Sequence, residues 1–227
     1  MLVSEAQLTY QHKIIFENLN LPFHRHQWTG ILGPSGVGKS SLLRMIAQLP
    51  IQGKISYHTD ALQTDISYMT QSETLLPWLS IVDNILIGLK LRRQKITKSD
   101  HFLAISLLDN LGLSECINRK PAQLSGGQRQ RAGLARTLFE NKNIILLDEP
   151  FSSLDTPTKQ SCYTLFKQLL MNKTVIFVTH DPLEALKLGD HLYRLSGQPA
   201  QLTPVVVPSD KTNLLNSYDK LIEEINA

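Results

Sequence analysis

Apolar residues along this chain fall into two kinds of run. Ile144–Leu147 and Val175–Val178 are continuously apolar. Strands covered on both faces of a parallel sheet read this way, so strands are expected over Ile144–Leu147 and Thr174–Val178. Ile31-Leu32, Ile55–Tyr57 and Ile66–Met69 predict shorter strands. Elsewhere the apolar positions recur at helical spacing. Leu42, Leu43, Ile46, Ala47 and Leu49 form one such set, which Pro50 is expected to stop. Leu103, Leu107, Leu108 and Leu111 form another, with Gly112 as its expected C-cap. From Thr70 to Lys142 the signals are mostly helical. The tail carries Leu214, Leu215, Tyr218, Leu221, Ile222 and Ile225 at helical spacing. That predicts an amphipathic helix over about 211–226, packed on the core. Its Asp219, Glu223 and Glu224 argue against a membrane-surface role. The pattern is that of an α/β chain whose parallel-sheet core is interrupted by a helical insertion.

Composition changes this picture little. The 227 residues carry 23 Lys+Arg against 20 Asp+Glu, a net charge of +3. That excess is too weak to argue for nucleic acid or anionic lipid, and no nucleic-acid partner is expected. A chain of this length buries roughly 70–75% of its unfolded surface, so it needs no disulfides. Cys116 and Cys162 make neither a metal pattern nor a disulfide framework, which suits a reducing compartment. No run approaches the roughly 20 apolar residues that span a bilayer. Met1–Ala6 lacks the basic and apolar regions of a signal peptide. Any membrane role is therefore expected to come through a partner protein.

Candidate chemistry begins where the first strand ends. Gly33-Pro34-Ser35-Gly36-Val37-Gly38-Lys39-Ser40 is a phosphate-binding loop pattern, with Ser41 next in the following helix. Glycines let backbone N–H groups close around phosphate oxygens. Lys39 suits the β- and γ-phosphates, the Ser40 hydroxyl suits Mg²⁺, and the helix N-terminus adds its positive end. Asp148 closes the apolar run 144–147, where a carboxylate suits Mg²⁺ beside the loop. Glu149 follows, placed to polarise an attacking water as general base. Leu124-Ser125-Gly126-Gly127-Gln128 would be an ordinary turn in isolation. Arg129, Gln130, Arg131, Leu134, Ala135 and Arg136 continue it as a helix, so it is a second anion-facing helix end.

Gly33–Ser40, Gln71, Leu124–Gln128, Ile144–Pro150, Ser153-Leu154-Asp155 and His180 stand in the order of the ATP-binding cassette (ABC) ATPases. Over about residues 1–195 the chain resembles that family. The resemblance implies an α/β fold: a phosphate-loop NTPase (RecA-like) core with a mainly parallel sheet, an N-terminal antiparallel part and an inserted helical subdomain. It implies one cassette domain over 1–227, with the helical subdomain at about 75–136. It implies ATP and Mg²⁺, and two cassettes that sandwich two ATP molecules head to tail. In such a pair Ser40 and Gln71 contact Mg²⁺, and Asp148 holds it through water. Glu149 is the base and His180 reads the γ-phosphate. Ser125, Gly126, Gly127 and Gln128 clamp the partner's ATP, and Asp155 links the two sites. Tyr10 stands where the family places an aromatic that stacks on adenine. Such a ring contributes about 1 kcal/mol and reads no base edge.

The sequence departs from the family pattern at His26-Gln27, where Gly-Glu is usual, at Ser41 for Thr, and at Gly133 for Ala. None of these is a catalytic position, so an active ATPase is expected. Without the surrounding motifs, Thr179-His180-Asp181-Pro182 would read as a plain turn.

Leu75-Leu76-Pro77-Trp78-Leu79-Ser80-Ile81-Val82-Asp83-Asn84-Ile85 resembles the import cassettes for nitrate, sulfonate, taurine and thiamine-precursor pyrimidines. That implies a permease docked near Gln71–Asn84, a separate solute-binding protein, and a peripheral place on the cytoplasmic face of the inner membrane. An apolar Trp78 on a surface loop is costly unless a partner buries it. The plainer alternative is that Trp78 packs inside the helical subdomain. An export or lipoprotein-release cassette, a soluble non-transport cassette and a small-molecule kinase remain as weaker alternatives. The kinase has no use for Ser125–Gln128.

Overall fold

In the computed structural model, which describes residues 2–22, 24–59, 65–72 and 74–206, the strands join into one sheet. In chain order they are β1 (Val3–Tyr10), β2 (Lys13–Leu21), β3 (Trp28–Leu32), β4 (Lys54–His58), β5 (Ile66–Met69), β6 (Ile144–Asp148), β7 (Thr174–Thr179), β8 (His191–Gly197) and β9 (Ala200–Val205). Across the sheet the order is β4-β1-β2-β9-β8-β3-β7-β6-β5. The run β8-β3-β7-β6-β5 is parallel. β1 pairs antiparallel with β2 and with β4, and β8 pairs antiparallel with β9.

The helices are α1 (Lys39–Ile46), α2 (Ile81–Leu91), α3 (Lys98–Asn110), α4 (Gly126–Phe139), α5 (Thr156–Leu169) and α6 (Pro182–Leu188). Successive residues of β6 and β7 divide between two cores. Ile145, Leu147, Val175 and Phe177 join the core that includes α2, α3, α4 and Phe166 of α5. Ile144, Leu146, Ile176 and Val178 join the core around Leu42, Leu43 and Ile46 of α1 and Leu8 and Phe16 of the antiparallel part. Both faces of these strands are dry, which is why the sequence runs apolar without alternation. Each Leu, Ile or Phe so buried stabilises the fold by roughly 1.5–3 kcal/mol.

The helical insertion lies between β5 and β6, where α2, α3 and α4 pack on one another. Its boundaries are set by local chemistry. Ser80 caps α2 by accepting from the Asp83 N–H, and Thr97 with Asp100 forms a reciprocal cap on α3. Gly112, at φ +66, follows α3 as the expected left-handed stop, with the Leu113 N–H returning to the Leu108 carbonyl. One expectation is corrected. α1 ends at Ile46, before Pro50 can act. Gln48 takes φ +53 and the Leu49 N–H closes onto the Arg44 carbonyl at 2.9 Å, so a left-handed cap stops the helix. The expected helix over 211–226 lies outside the described residues.

Candidate functional site

β3 delivers the chain to Gly33, and α1 takes it up again at Lys39. Between them Gly36 and Gly38 adopt φ +79 and +112. A Cβ on Gly38 would stand 2.7 Å from the Phe16 ring, so the turn is open only to glycine. No side chain caps α1, which leaves its first N–H groups free to face an anion. Lys39 is only 6% exposed, and its ammonium donates to the carbonyls of Gly33 at 2.7 Å and Pro34 at 3.0 Å. Burial draws its pKa down, against the opposing charges of Glu149 and Asp148.

Those carboxylates arrive at the end of β6. Asp148 is buried and accepts hydrogen bonds from Tyr68 at 3.2 Å and from Ser40. Burial raises its pKa, and the two hydroxyls hold it back. Glu149 has φ +49, a conformation that costs a non-glycine residue about 1 kcal/mol or more. Its backbone is pinned from both sides. Its N–H reaches the Val178 carbonyl at 3.0 Å, and its own carbonyl accepts from Gln130 Nε2 at 3.0 Å. Glu149 Oε2 consequently faces His180 Nδ1 at 3.2 Å and Gln71 Nε2 at 3.4 Å.

Ser35, Gly36, Gly38, Lys39, Ser40, Ser41, Gln71 and Glu149 line one cleft of about 220 Å³. Tyr10, Gly36, Gly38, Ser41 and Arg44 line a second of about 470 Å³. Gly36, Gly38 and Ser41 belong to both, so phosphate-facing and ring-facing walls are continuous. The set Ser40, Gln71 and Asp148 offers hard oxygen donors, and the Ser40–Asp148 hydrogen bond brings two of them together, a set that suits Mg²⁺.

Among the described residues, Ser125–Gln128 line neither cleft. Ser125 caps α4, accepting from the Gln128 N–H at 3.2 Å while Gln128 Oε1 accepts from the Ser125 N–H at 2.9 Å. Asp155 likewise caps α5 through the Thr158 N–H at 3.0 Å. Its pKa is held down by that backbone donor first and by the Thr158 hydroxyl. Among the described residues the loop and Glu149 thus share one cleft, and the α4 end at Ser125–Gln128 lies outside it.

Two residues of the site were not singled out in the sequence. Gln130 grips the 149–153 segment through Glu149, the Ser152 hydroxyl and the Ser153 N–H. Tyr68 braces Asp148. A glutamine between Arg129 and Arg131 was the available signal for the first; nothing marked the second.

Trp78 is 66% exposed, so it does not pack inside the helical insertion. Fully buried Asn84 builds the turn beneath it. Its side chain bonds Leu76 at both N–H (2.6 Å) and carbonyl (3.1 Å), and the Ser80 carbonyl at 3.0 Å. Ile66, Tyr68, Ile87, Leu91, Arg136 and Glu140 are among the residues lining a groove of about 510 Å³ between β5, α2 and α4. No helix among the described residues is long and apolar enough to cross a membrane.

The profile of the family described as ABC transporter matches residues 16–152. The chain is 36% identical to the formylaminopyrimidine import ATP-binding protein of Halalkalibacterium halodurans, over 92% of this chain and 85% of that one. It is 39% identical to an aliphatic sulfonates import ATP-binding protein of Paracoccus denitrificans, over 84% and 76%. Among solved structures, a dimeric ATP-binding cassette in a post-hydrolysis state, bound to ADP and Pi, superposes with a TM-score of 0.81. Its sequence is 28% identical, with 92% of this chain and 99% of that chain covered.

Proposed function

The chain belongs to the ABC transporter family of ATP-binding cassettes, and from that premise we propose that it is the ATP-hydrolysing subunit of a system importing a small solute. The solute class is that of its relatives, an aliphatic sulfonate or a formylaminopyrimidine. The observation that carries the chemistry is the meeting of Glu149, His180 and Gln71 over the phosphate loop.

Each ATP lies between the phosphate loop of one cassette and Ser125–Gly127 of a second. The Gly36 and Gly38 turns and the open start of α1 hold the phosphates, and the Lys39 ammonium balances the β- and γ-phosphate charge. Ser40, Gln71 and Asp148 would hold Mg²⁺, which neutralises charge that develops on the phosphate oxygens. Glu149 accepts the proton of the attacking water, and His180 beside it holds the γ-phosphate. The Tyr10 ring stacks on the base. ATP drives closure only because the closed pair binds it more tightly than the open one.

The Asn84-braced turn carries Trp78 toward a membrane permease, and the cassette sits peripherally on that permease. A separate solute-binding protein serves the transport system.

The test is to capture the chain from detergent-solubilised membranes with ATP present. A multi-span permease should accompany it. Recovery only in the soluble fraction, with ribosomal or DNA-associated proteins, would sink the import reading. Trp78→Ala is expected to leave the melting temperature where it was, because the ring is mostly exposed. It should cut permease recovery by about tenfold or more, as loss of a buried aromatic anchor does.

A further inference from the structure

Glu184, the third residue of α6, is 2% exposed. Among the described residues its Oε1 is the one buried side-chain oxygen or nitrogen without a hydrogen-bond partner. The rest of the carboxyl is engaged. It accepts from the Thr179 hydroxyl, and Thr179 Oγ1 in turn accepts from the Asp181 N–H at 3.0 Å. Asp181 caps α6 through the N–H groups of Leu183 at 3.0 Å and Glu184 at 3.3 Å, and it pairs with Lys159 at 3.3 Å. His180 sits between these two anchored neighbours, with its ring largely exposed and Nδ1 against Glu149.

We infer that Glu184 is a positioning residue for ATP hydrolysis, holding the Thr179–Asp181 turn so that His180 faces the Glu149 carboxylate. The inference rests on the reading of Glu149 and His180 given above and names what keeps that pair in register. Glu184 itself touches no reacting atom.

The carboxyl does this work as a neutral acid. An ionised oxygen left without a donor in a dry site is far costlier than a neutral one. The groups facing it confirm the sign. Asp181 at its own helix cap and Glu149 beyond β6 are both acidic, and Tyr163 of α5 adds only a phenol. Lys159 of α5 is opposite in charge but is engaged by Asp181. Burial first, then Asp181, pushes the Glu184 pKa up to about 8, against Lys159 and the Thr179 hydroxyl. Above that pH a third carboxylate appears beside Asp181 and Glu149, and although the Thr179 hydroxyl still donates to it, its repulsion of both carboxylates displaces the turn. The same shift makes the fold pH-sensitive. A carboxyl whose folded pKa is raised contributes stability that is complete below its ordinary range near 4.5 and is lost as pH rises toward 8.

The experiment uses the full chain and its Glu184→Gln and Glu184→Ala variants, with Mg-ATP, from about pH 6 to 9.5. The parent kcat should fall on the alkaline side with a midpoint near 8. Glutamine reproduces the shape of the neutral acid, so Glu184→Gln should keep kcat within about threefold at pH 7 and lose that alkaline fall. Glu184→Ala should lose about tenfold in kcat while KM moves far less. An unchanged alkaline fall in Glu184→Gln, or parent kcat in Glu184→Ala, would overturn the inference. Melting temperatures need no hydrolysis. The parent should lose stability from pH 5 to 8 more steeply than Glu184→Gln, and parallel curves would also overturn it. Parent hydrolysis in His180→Ala, with the melting curves still diverging, would strike the role of His180 and leave the neutral buried carboxyl standing.

Discussion

Glu149→Gln is expected to bind ATP as the parent does and to hydrolyse it at least about a hundredfold more slowly, the loss typical of a missing general base. The substitution is nearly isosteric. The backbone pins on Glu149, from Val178 and Gln130, involve main-chain atoms and survive. The left-handed conformation also survives, since Gln48 already adopts φ +53 in this fold. The phosphate loop, Lys39 and the open end of α1 are untouched, so the nucleotide keeps its binding contacts. Only the carboxylate that faces His180 and Gln71 is lost. Phosphate release and nucleotide affinity, measured on the same preparation, separate the two effects. Hydrolysis close to the parent rate would remove Glu149 from the base role.

Lys39→Ala should fail earlier. The ammonium is nearly buried and already aimed into the loop by the Gly33 and Pro34 carbonyls. A charged hydrogen bond to phosphate contributes roughly 1.5–3 kcal/mol, so ATP affinity should drop about 10- to 100-fold. Hydrolysis should fall further, by on the order of 100-fold or more, because charge grows on the phosphate oxygens in the transition state. Calorimetric titration with ATP checks the first number and phosphate release the second. Parent affinity in Lys39→Ala would mean that the phosphates lie elsewhere.

Much of this was legible because the physics is local. β6 and β7 announce themselves as apolar runs because both faces are covered. The phosphate loop is legible because its left-handed turns demand glycine at fixed spacing. Of the antiparallel part only β4 showed in the pattern, at Ile55–Tyr57, and β1 and β2 were reached only through the family resemblance. β1 slips register against β2 three times, and its buried positions Val3, Ala6 and Leu8 keep a period of two only from Ala6 to Leu8, too short a run to mark a strand. β8 and β9 are half-covered strands with a mixed pattern, and nothing local marked them.

The same division holds in the site. Asp148 and Glu149 follow a readable strand. Gln130 and Tyr68 act through partners distant in the chain, which only the fold brings together, and Glu184 acts on the nearby 179–181 turn but shows its role only through its burial. Trp78 was legible as an apolar ring on a loop. What makes it a rigid presentation is Asn84, a buried polar side chain whose bonds all return to the turn.

ATP held between two copies of the cassette would give Ser125–Gly127, which line neither cleft at their own phosphate loop, a nucleotide to bind. Sedimentation velocity of the Glu149→Gln chain tests that arrangement directly, because ATP stays intact while the pair is observed. Without nucleotide the chain should sediment at its own mass of 25.6 kDa. With ATP the mass should double, and Lys39→Ala should remain single under the same conditions. ATP bound at full occupancy with the mass unchanged would contradict the composite site.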